Sequence, residues 1–311
     1  MVHDPKDREV FAAQFRDRVT HHLLYNMSYE WWDARLIDSS YSCRKGKGVW
    51  AGCWDLRKKM NQARYEFGEE VYIIKLDIQG YFVSLKRSKV YKRVMWGLKR
   101  QFPVSPKTGR RPREYFMLKY LWRQVIFDDP TAHVEKRGSE KEWATVPVSK
   151  SQFRQAPGVG IVIGNLSSQL LSNIYLDLLD RYVKYTLGYK FYGRYVDDFY
   201  FLVPESKLKE ATADIARIKE YLRGLGLTLH PKKVYIQNVK KGVLFLGNRI
   251  YPNMILPGPR IVRNYYRAIE RVMAGEAELE TLISYMGHFV HVKGTKIQWK
   301  IFEHVGLEFD R

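Results

Sequence analysis

The sequence predicts an α+β fold, in which helices pack on an antiparallel sheet. The first observation is the stretch at 191–203, FYGRYVDDFYFLV, where two runs of strand-forming residues flank a pair of aspartates. The second is the stretch at 71–78, VYIIKLDI, which is short, apolar and β-branched. The third is a series of segments whose apolar residues recur every three or four positions, as in amphipathic helices. Hairpin strands interrupted by such helices are typical of an α+β architecture.

The composition indicates a folded, strongly basic protein. Of its 311 residues, 45% are apolar and 28% are charged, and the formal net charge is +20. Such an excess points to a polyanionic partner, most simply nucleic acid, and 22 tyrosines and 8 tryptophans offer faces for stacking on unpaired bases. Cys43 and Cys53 match neither a zinc site nor a disulfide scaffold. With no apolar run of membrane-spanning length and no signal peptide, we expect a cytoplasmic protein of bacterial type.

The first 75 residues are expected to form two helices around a basic loop. Apolar residues recur every four positions along the first helix, and arginines accompany them: Phe11, Phe15, Val19 and Leu23, with Arg8, Arg16 and Arg18. The loop at 40–48, SYSCRKGKG, lacks the spacing of a phosphate-binding loop, so a phosphate cradle and a solvated turn both stay open. The second helical pattern runs to about Glu66.

Three aspartates stand out as candidate metal ligands. Adjacent side chains on a strand point to opposite faces, so Asp197 and Asp198 need a tight hairpin turn to be aimed at one place. Two carboxylates held together require cations, and Mg²⁺ is the usual partner of aspartate oxygens, although a polar hairpin tip would also explain an isolated pair. Asp77 lies near the end of the buried strand at 71–78, where a carboxylate needs a metal or an arginine. It is therefore the candidate third ligand.

The middle of the chain is predicted to be an irregular basic insertion followed by a long helix. Residues 100–157 are rich in lysine, arginine and turn residues, with one helix near 114–127. The glycines at 158–164 lack the spacing of a dinucleotide fingerprint, and we exclude that site. Asn165 or Ser167 is expected to cap the next helix, whose apolar stripe is Leu166, Leu170, Ile174, Leu178 and Tyr182.

The C-terminal third is predicted to hold a helix at 206–224, two short strands and a final helical segment. Leucines alternate between 225 and 229, and VLFLGNRI at 243–250 is predicted to be a further strand. Prolines and a glycine between 252 and 259 mark a boundary. Beyond it, four arginines share one helical face that could follow a phosphate backbone or simply be solvated: Arg260, Arg263, Arg267 and Arg271.

Three acids on two strands of a basic chain meet the requirements of two-metal nucleotidyl transfer. In that chemistry one Mg²⁺ lowers the pKa of an attacking 3′-hydroxyl, and a second neutralises the triphosphate and the leaving pyrophosphate. Mg²⁺ takes few protein carboxylates and completes its shell with substrate oxygens, which suits three aspartates.

At these motifs the sequence resembles the reverse transcriptases. Tyr195-Val196-Asp197-Asp198 resembles their Y-x-D-D box, and LDIQGYF at 76–82 resembles their first catalytic motif. The resemblance implies a right-hand polymerase fold with fingers at 1–75, a palm at 76–255, a basic fingers insertion at about 86–160, and a thumb at 256–311.

The same resemblance implies the ligands and the sugar contact. Two Mg²⁺ ions, which Mn²⁺ could replace, would be held by the three aspartates and the backbone carbonyl of Ile78. Phe82 would exclude a ribose 2′-hydroxyl, so the substrates would be dNTPs. The enzyme would copy template RNA and produce a cDNA/RNA duplex.

The resemblance narrows to the reverse transcriptases of diversity-generating retroelements. IGNLSSQ at 163–169 is similar to their I-G-N-L-x-S-Q signature, at the place where most reverse transcriptases carry a Gln-Gly pair. Further stretches resemble the same group in chain order: REVFAAQFRDRVTHHLLYN, SYSCRKGKG, FDDPT to KSQF, FYGRYVDDF and FLGNRI. This implies a bacterial or phage-encoded enzyme that copies a template-repeat RNA with errors opposite adenine, together with a small basic, oligomeric accessory variability protein.

Nucleotide contacts follow from the same motifs. At Ile163 and Gly164, an apolar surface replaces an amide that could hydrogen-bond, which is a physical route to weak discrimination of the incoming nucleotide. Gln169 would line the pocket, or cap the helix start. Lys233 would donate a proton to pyrophosphate. Three arginines are candidate triphosphate contacts, with Arg8 first among them: Arg8, Arg16 and Arg18.

Two other interpretations stay open. A reverse transcriptase of another bacterial class, such as a group II intron, retron or defence-associated enzyme, would be expected to carry the Gln-Gly pair or added domains. A non-catalytic RNA-binding protein on a polymerase fold would not require three intact carboxylates.

Overall fold

The structure is a computed structural model that describes residues 8–292. It confirms the predicted mixture of helices and antiparallel sheets. The helices are α1 Phe15–Asp33, α2 Val49–Phe67, α3 Tyr81–Ser84, α4 Arg87–Gln101, α5 Arg113–Phe127, α6 Glu140–Ala144, α7 Leu166–Arg181, α8 Leu208–Leu225, α9 Pro259–Met273 and α10 Glu280–Phe289. The strands are β1 Val71–Asp77, β2 Tyr192–Tyr195, β3 Asp198–Pro204, β4 Tyr235–Asn238, β5 Val243–Phe245, β6 Asn248–Ile250 and β7 Ile255–Pro257.

The central sheet has the order β2-β3-β1-β4, and its neighbouring strands are antiparallel. Strand β1 carries apolar residues on both of its faces, because the sheet is covered on both sides. Ile74 and Leu76 face one cluster, formed mainly with α1, α4, α5, α7 and α8. Val71 and Ile73 face a second cluster, formed mainly with α2 and the β5-β6-β7 sheet. The alternation that a strand imposes thus divides one apolar run between two cores.

The predicted basic insertion is irregular apart from α5, α6 and short 3₁₀ turns at Pro130–Ala132, Val148–Lys150 and Gln152–Arg154. Arg87, buried at the start of α4, closes it. Its Nε donates to the carbonyl of Gly160 at 2.9 Å, and its Nη1 donates to the carbonyl of Asp128 at 2.7 Å. One buried guanidinium therefore joins both ends of the second half of the insertion to the core.

The predicted apolar face of the first helix is wrong. Helix α1 begins at Phe15, and Phe15, Val19 and Leu23 are exposed, while Phe11 is buried before the helix. The buried face instead carries Leu24, Ser28, Tyr29 and Trp32. This face is buried because of two contacts with neighbouring helices. Trp122 Nε1 donates to Ser28 Oγ at 3.3 Å. Gly97 of α4 lies against the Trp32 ring, where a Cβ atom would approach within 2.0 Å.

Two local predictions also need correction. Asn165 occupies the N-cap position of α7, but its side chain makes no capping hydrogen bond. Ser167 lies inside the helix, where its Oγ is 2.7 Å from Nδ1 of His21. The leucines at 225–229 form no strand; Leu229 makes only an isolated bridge to Ile78.

The strand predicted at 243–250 is a hairpin of β5 and β6. Leu246 and Gly247, at φ values of 50° and 82°, form the two-residue connection. Two positive φ angles in succession are the requirement of a type I′ turn, which reverses the chain within two residues. Strand β7 adds to β6 and leads into α9 at Pro259.

The predicted boundaries of fingers, palm and thumb stay predictions, and residues 1–7 and 293–311 of those ranges lie outside the described residues. Between residues 8 and 292, no helix is both long and apolar enough to cross a membrane.

Candidate active site

The two adjacent aspartates lie at the predicted hairpin. Tyr195 pairs with Asp198 across β2 and β3, so Val196 and Asp197 form the turn. Val196 has φ 54°, a left-handed conformation that is rare for a β-branched residue. In two-residue hairpin turns, a positive φ at this first position is normally supplied by glycine, asparagine or aspartate. The turn is therefore strained at the residue beside both carboxylates.

A buried arginine holds this turn in place. Arg194 on β2 is fully buried, and its Nη1 donates to the carbonyl of Val196 at 3.0 Å. Its Nε and Nη2 donate to the two oxygens of Asp180 at 2.6 and 2.8 Å. Asp180 also accepts from the Tyr192 hydroxyl at 2.6 Å, and Ser40 Oγ accepts from Arg194 at 3.1 Å. The strained turn thus rests on a buried charge pair whose oxygens and N–H groups are bonded.

The basic loop at 40–48 belongs to this support. Tyr41 N donates to the carbonyl of Arg194 at 3.0 Å, and Asn173 Nδ2 donates to the carbonyl of Ser42 at 2.7 Å. The guanidinium of Arg44 is held by the carboxylate of Asp33, at 2.6 Å, and by backbone carbonyls. These contacts fix the loop against β2. This structural role differs from both of the roles considered from the sequence, a phosphate cradle and a solvated turn.

Strand β1 brings the third carboxylate to the turn. Asp77, its last residue, is the register partner of Asp198. The next residue, Ile78, donates its N–H to the carbonyl of Asp197 at 3.0 Å. The structure therefore places the three predicted aspartates at the adjoining ends of two neighbouring strands.

Burial and mutual repulsion perturb these carboxylates. Burial, the largest cause, raises the pKa of Asp198 to about 6, against the opposite effect of Lys75, and the charges of Asp77 and Asp197 add to the rise. Burial and then the charge of Asp77 raise the pKa of Asp197, while Lys233 and Arg8 act in the lowering direction. Buried carboxylates that repel one another favour the binding of a cation.

Two lysines supply positive charge. Lys233 Nζ lies 2.6 Å from Asp77 Oδ2, and Lys75 Nζ lies 3.0 Å from Asp198 Oδ2. Lys75 also donates to the carbonyl of Leu244 on β5, at 3.1 Å. Sequence reasoning singled out Lys233 but missed Lys75. The signal was there, since residues two apart on a strand share a face and Lys75 precedes Asp77 by two.

The donor atoms of the site determine whether it suits Mg²⁺. Within the described residues, no group of three or more His, Cys, Asp or Glu side chains is already arranged to hold a metal ion, and Asp77 and Asp198 face lysines instead. However, Asp198 Oδ1 is buried without a hydrogen-bond partner, which is costly for a carboxylate oxygen. Hard carboxylate oxygens, one of them unpartnered, are the donors that Mg²⁺ prefers, so the residues fit this ion.

The predicted nucleotide pocket is tied to the N-terminal segment. Phe82 is half-buried, and its carbonyl accepts from Ile161 N at 2.9 Å. The carbonyl of Ile163 accepts from Phe11 N at 2.8 Å. Gly164 has φ 126°, and a Cβ there would lie 2.2 Å from the carbonyl oxygen of Phe11. Only glycine allows this close approach.

The other predicted contacts are placed less closely. Arg8 is exposed and near enough for its charge to act on Asp197. Arg16 and Arg18 lie on the exposed side of α1, where Arg18 Nε donates to the carbonyl of Ala13 at 2.7 Å. Gln169 is exposed on α7. Their roles stay predictions.

The four arginines of the final helical segment lie on α9 and are all exposed: Arg260, Arg263, Arg267 and Arg271. Tyr265, on the opposite side, is buried against Tyr285 and Phe289 of α10. The basic stripe therefore faces solvent, as an interface with a phosphate backbone requires.

Comparisons with known proteins show the fold. No protein-family model and no curated protein sequence matches this chain. Among solved structures, it is similar to apo telomerase from Candida tropicalis, with a TM-score of 0.50, 12% identity, and coverage of 94% of this chain and 51% of that one. Telomerase from the same organism in complex with a TWJ fragment of telomeric RNA gives 0.50, 13%, 92% and 47%. The complex from Candida albicans gives 0.46, 13%, 94% and 49%.

The chain thus spans about half the length of these telomerases. At this identity the likeness concerns the fold alone, which is similar to that of telomerase, a reverse transcriptase-type polymerase.

Proposed function

We propose that this chain is an RNA-directed DNA polymerase with a right-hand fold, whose active site is formed by Asp77, Asp197 and Asp198. One observation carries the proposal: a carboxylate at the end of β1 lies in register with the aspartate pair of the β2–β3 hairpin. A polar hairpin tip would need no acid from a second strand. The telomerase-like fold supports the same class of chemistry.

The three aspartates and the carbonyl of Ile78 would hold two Mg²⁺ ions. When bound, Mg²⁺ supplies Lewis acidity for a 3′-hydroxyl nucleophile and neutralises charge on the departing pyrophosphate. The protein's own side chains position the carboxylates and exclude the wrong sugar. Arg194 fixes the turn that presents Asp197 and Asp198, and Phe82 limits the room for a ribose 2′-hydroxyl.

Lys233 would act as the proton donor to pyrophosphate. Its Nζ is 2.6 Å from Asp77, so the ammonium is held at the carboxylate that faces the substrate in this proposal. An ammonium at that position can stabilise negative charge on the leaving group and deliver a proton from Nζ to it. The exposed Arg8, whose charge reaches Asp197, would contact the triphosphate.

Polymerase activity is tested by Mg²⁺-dependent dNTP incorporation on an RNA template with an annealed DNA primer. Asp197→Asn should abolish incorporation because it removes one charged ligand and keeps the side chain's shape. Asp38→Asn, at an exposed aspartate paired with Lys47, is the matched control and should retain parental activity. Absence of Mg²⁺-dependent incorporation by the parent would favour the non-catalytic RNA-binding alternative, and equal incorporation by parent and Asp197→Asn would contradict the proposed active site.

Within this class, we assign the chain to the diversity-generating retroelements, as an enzyme that makes errors opposite template adenine. The support is the IGNLSSQ stretch, in which Ile163 stands where most reverse transcriptases have glutamine. Its backbone is fixed by Phe11, so the apolar side chain is presented by a defined segment. A reverse transcriptase of another bacterial class remains the alternative, and it would copy adenine accurately.

Sequencing of cDNA made from a defined RNA decides between them. The parent should misincorporate mainly opposite adenine, and Ile163→Gln should copy adenine more accurately, because an amide restores a hydrogen-bonding group at the pocket. Repeating the reaction with the cognate small basic accessory protein tests that partner. Equal adenine error rates in parent and Ile163→Gln would remove isoleucine from the explanation.

A further inference from the structure

A second cluster of aromatic and cationic side chains lies between the end of α1, the middle of α4 and the end of α7. Trp32, Trp96 and Leu178 line a cavity of about 240 Å³, together with Arg35, Arg93, Asp177 and Arg181. Asp177 is eleven residues along α7 from Leu166, or about 16 Å from the helix start next to Ile163. None of the residues that line the cavity lies on the strands that carry the three aspartates.

Guanidinium groups lie over the tryptophan rings of this cluster. The Cζ atom of Arg93 is 4.2 Å from the centre of the Trp96 ring and 5.3 Å from that of Trp32. The Cζ atom of Arg100 is 4.0 Å from the Trp96 ring centre. The Trp96 side chain is 39% exposed, so this stack is open to solvent. Flat aromatic and guanidinium surfaces are the surfaces on which unpaired bases stack.

The cluster is also strongly positive. Arg93 and Arg181 share one oxygen of Asp177, at 2.7 and 2.8 Å. Arg35, just beyond the end of α1, donates to the carbonyl of Trp31 at 2.7 Å, and Arg100 on α4 donates to that of Trp96 at 3.3 Å, so both of these contacts are to neutral acceptors. Four arginines and one aspartate amount to a net charge of +3, which suits an anionic ligand.

The size and chemistry of the cavity point to a small planar group that carries an anion. Its volume lies below the roughly 300–1,000 Å³ of pockets for drug-sized ligands. Asp177 Oδ1 is buried and has no hydrogen-bond partner, so the wall keeps an unused acceptor. A stack that only joined three helices would need neither an open cavity beside the tryptophans nor a surplus of arginine.

We propose that this cavity binds an unpaired nucleotide of single-stranded RNA, with the base against the exposed Trp96 and a phosphate against the arginine rim. The proposal rests on the proposed function and deepens it, because it gives the chain an RNA contact made by residues other than those of the polymerising site. Its test measures binding without dNTPs, so it fails or succeeds independently of catalysis.

The test compares RNA affinity of Trp96→Ala with that of Trp54→Ala, which removes a similarly exposed tryptophan from α2. Fluorescence anisotropy is measured with a labelled, unstructured 20-nucleotide RNA and with a 20-base-pair RNA duplex. Loss of a stacked base should weaken single-strand binding by Trp96→Ala about 5- to 50-fold. Trp54→Ala, and duplex binding by both variants, should stay within about twofold of the parent.

A second variant covers the case in which Trp96→Ala loses its fold. Arg35→Gln changes an exposed side chain, and it should weaken single-strand binding and reduce the slope of log affinity against log salt by about one. Circular dichroism confirms that each variant is folded.

Three results would overturn the proposal. The first is parental single-strand affinity in both Trp96→Ala and Arg35→Gln. The second is an equal loss for duplex and single strand, which would indicate backbone contact without a base. The third is quenching of tryptophan fluorescence by free AMP that is lost in Trp96→Ala while that variant keeps the parental affinity for RNA, which would assign the cavity to a free nucleotide. If the variants change RNA binding as expected but the protein incorporates no dNTP, the proposed RNA-binding cavity is supported and the proposed polymerase activity is contradicted.

Discussion

Two ion pairs flank the same hairpin turn and differ in their burial and in their hydrogen bonding. Arg194–Asp180 is fully buried, bidentate and surrounded by hydrogen-bond partners. Lys75–Asp198 has a single short contact, about a fifth of each side chain exposed, and one carboxylate oxygen without a partner. The first pair stabilises the conformation of the hairpin turn, whereas the second leaves a buried carboxylate only partly hydrogen-bonded. The comparison teaches that a rigid, satisfied support permits an unsatisfied group beside it, and unsatisfied groups are where ligands bind.

The largest effect is expected when the support is broken. Asp180→Ala leaves the Arg194 guanidinium buried and unpaired, and should lower the free energy of unfolding by about 3–5 kcal/mol. Urea denaturation measures it. Asp214→Ala breaks the more exposed pair with Arg217 and a hydrogen bond from the Tyr189 hydroxyl, and should cost less than Asp180→Ala because Arg217 stays in contact with solvent. A loss by Asp180→Ala no larger than that of Asp214→Ala would contradict the ranking.

A smaller loss is expected at the seam between the N-terminal segment and the pocket. Gly164→Ala meets both a positive φ and a contact of 2.2 Å with the Phe11 carbonyl, and should destabilise by roughly 2–3 kcal/mol. Gly158→Ala is the control, because it shares the positive φ but has no atom within 4 Å of the added Cβ. The difference between the two in urea denaturation isolates the clash. Equal losses would show that Phe11 yields freely.

The opposite sign is expected at the unsatisfied pair. Asp198→Asn, measured in EDTA at pH 8, replaces a buried carboxylate whose pKa is raised to about 6, and should increase the free energy of unfolding by about 1–2 kcal/mol. The sign follows because the native state binds a proton more tightly than the unfolded state, so ionisation at higher pH destabilises the fold. Adding Mg²⁺ should raise the Tm of the parent and leave that of Asp198→Asn unchanged. Destabilisation by Asp198→Asn would contradict the comparison.

The smallest effect concerns the turn itself. Val196→Asn puts a residue that tolerates positive φ in place of one that does not, and should stabilise by about 0.5–1 kcal/mol. Thermal unfolding of parent and variant in EDTA is the measurement. A loss of stability would mean that the partly buried Val196 side chain contributes more through packing than its backbone costs.

The parts of the fold that follow from periodicity were predictable. The hairpin and β1 were placed from their apolar pattern, because alternation or a continuous apolar run is a local property. The face of α1 was not, since Trp32 packs there only through Gly97 of a different helix. The break at Leu246-Gly247 was missed because its turn was hidden inside an apolar run.

The site divides in the same way. Asp77, Asp197 and Asp198 could be found from their positions at strand ends, and Lys75 could have been. The support of the turn could not, because Arg194 takes its partners from α7 and from the loop at 40–48, which only tertiary structure brings together. The roles assigned to Phe82, Ile163, Lys233 and the arginines remain predictions for experiment.

The central claim is that an acid from a second strand turns this hairpin tip into a polymerase active site. The most direct test is primer extension on RNA by Asp77→Asn, with Asp38→Asn as control and Mg²⁺ as the metal. We expect Asp77→Asn to lose at least about a thousandfold in incorporation rate, with unchanged Tm and RNA affinity. Incorporation by Asp77→Asn within twofold of the parent would contradict it.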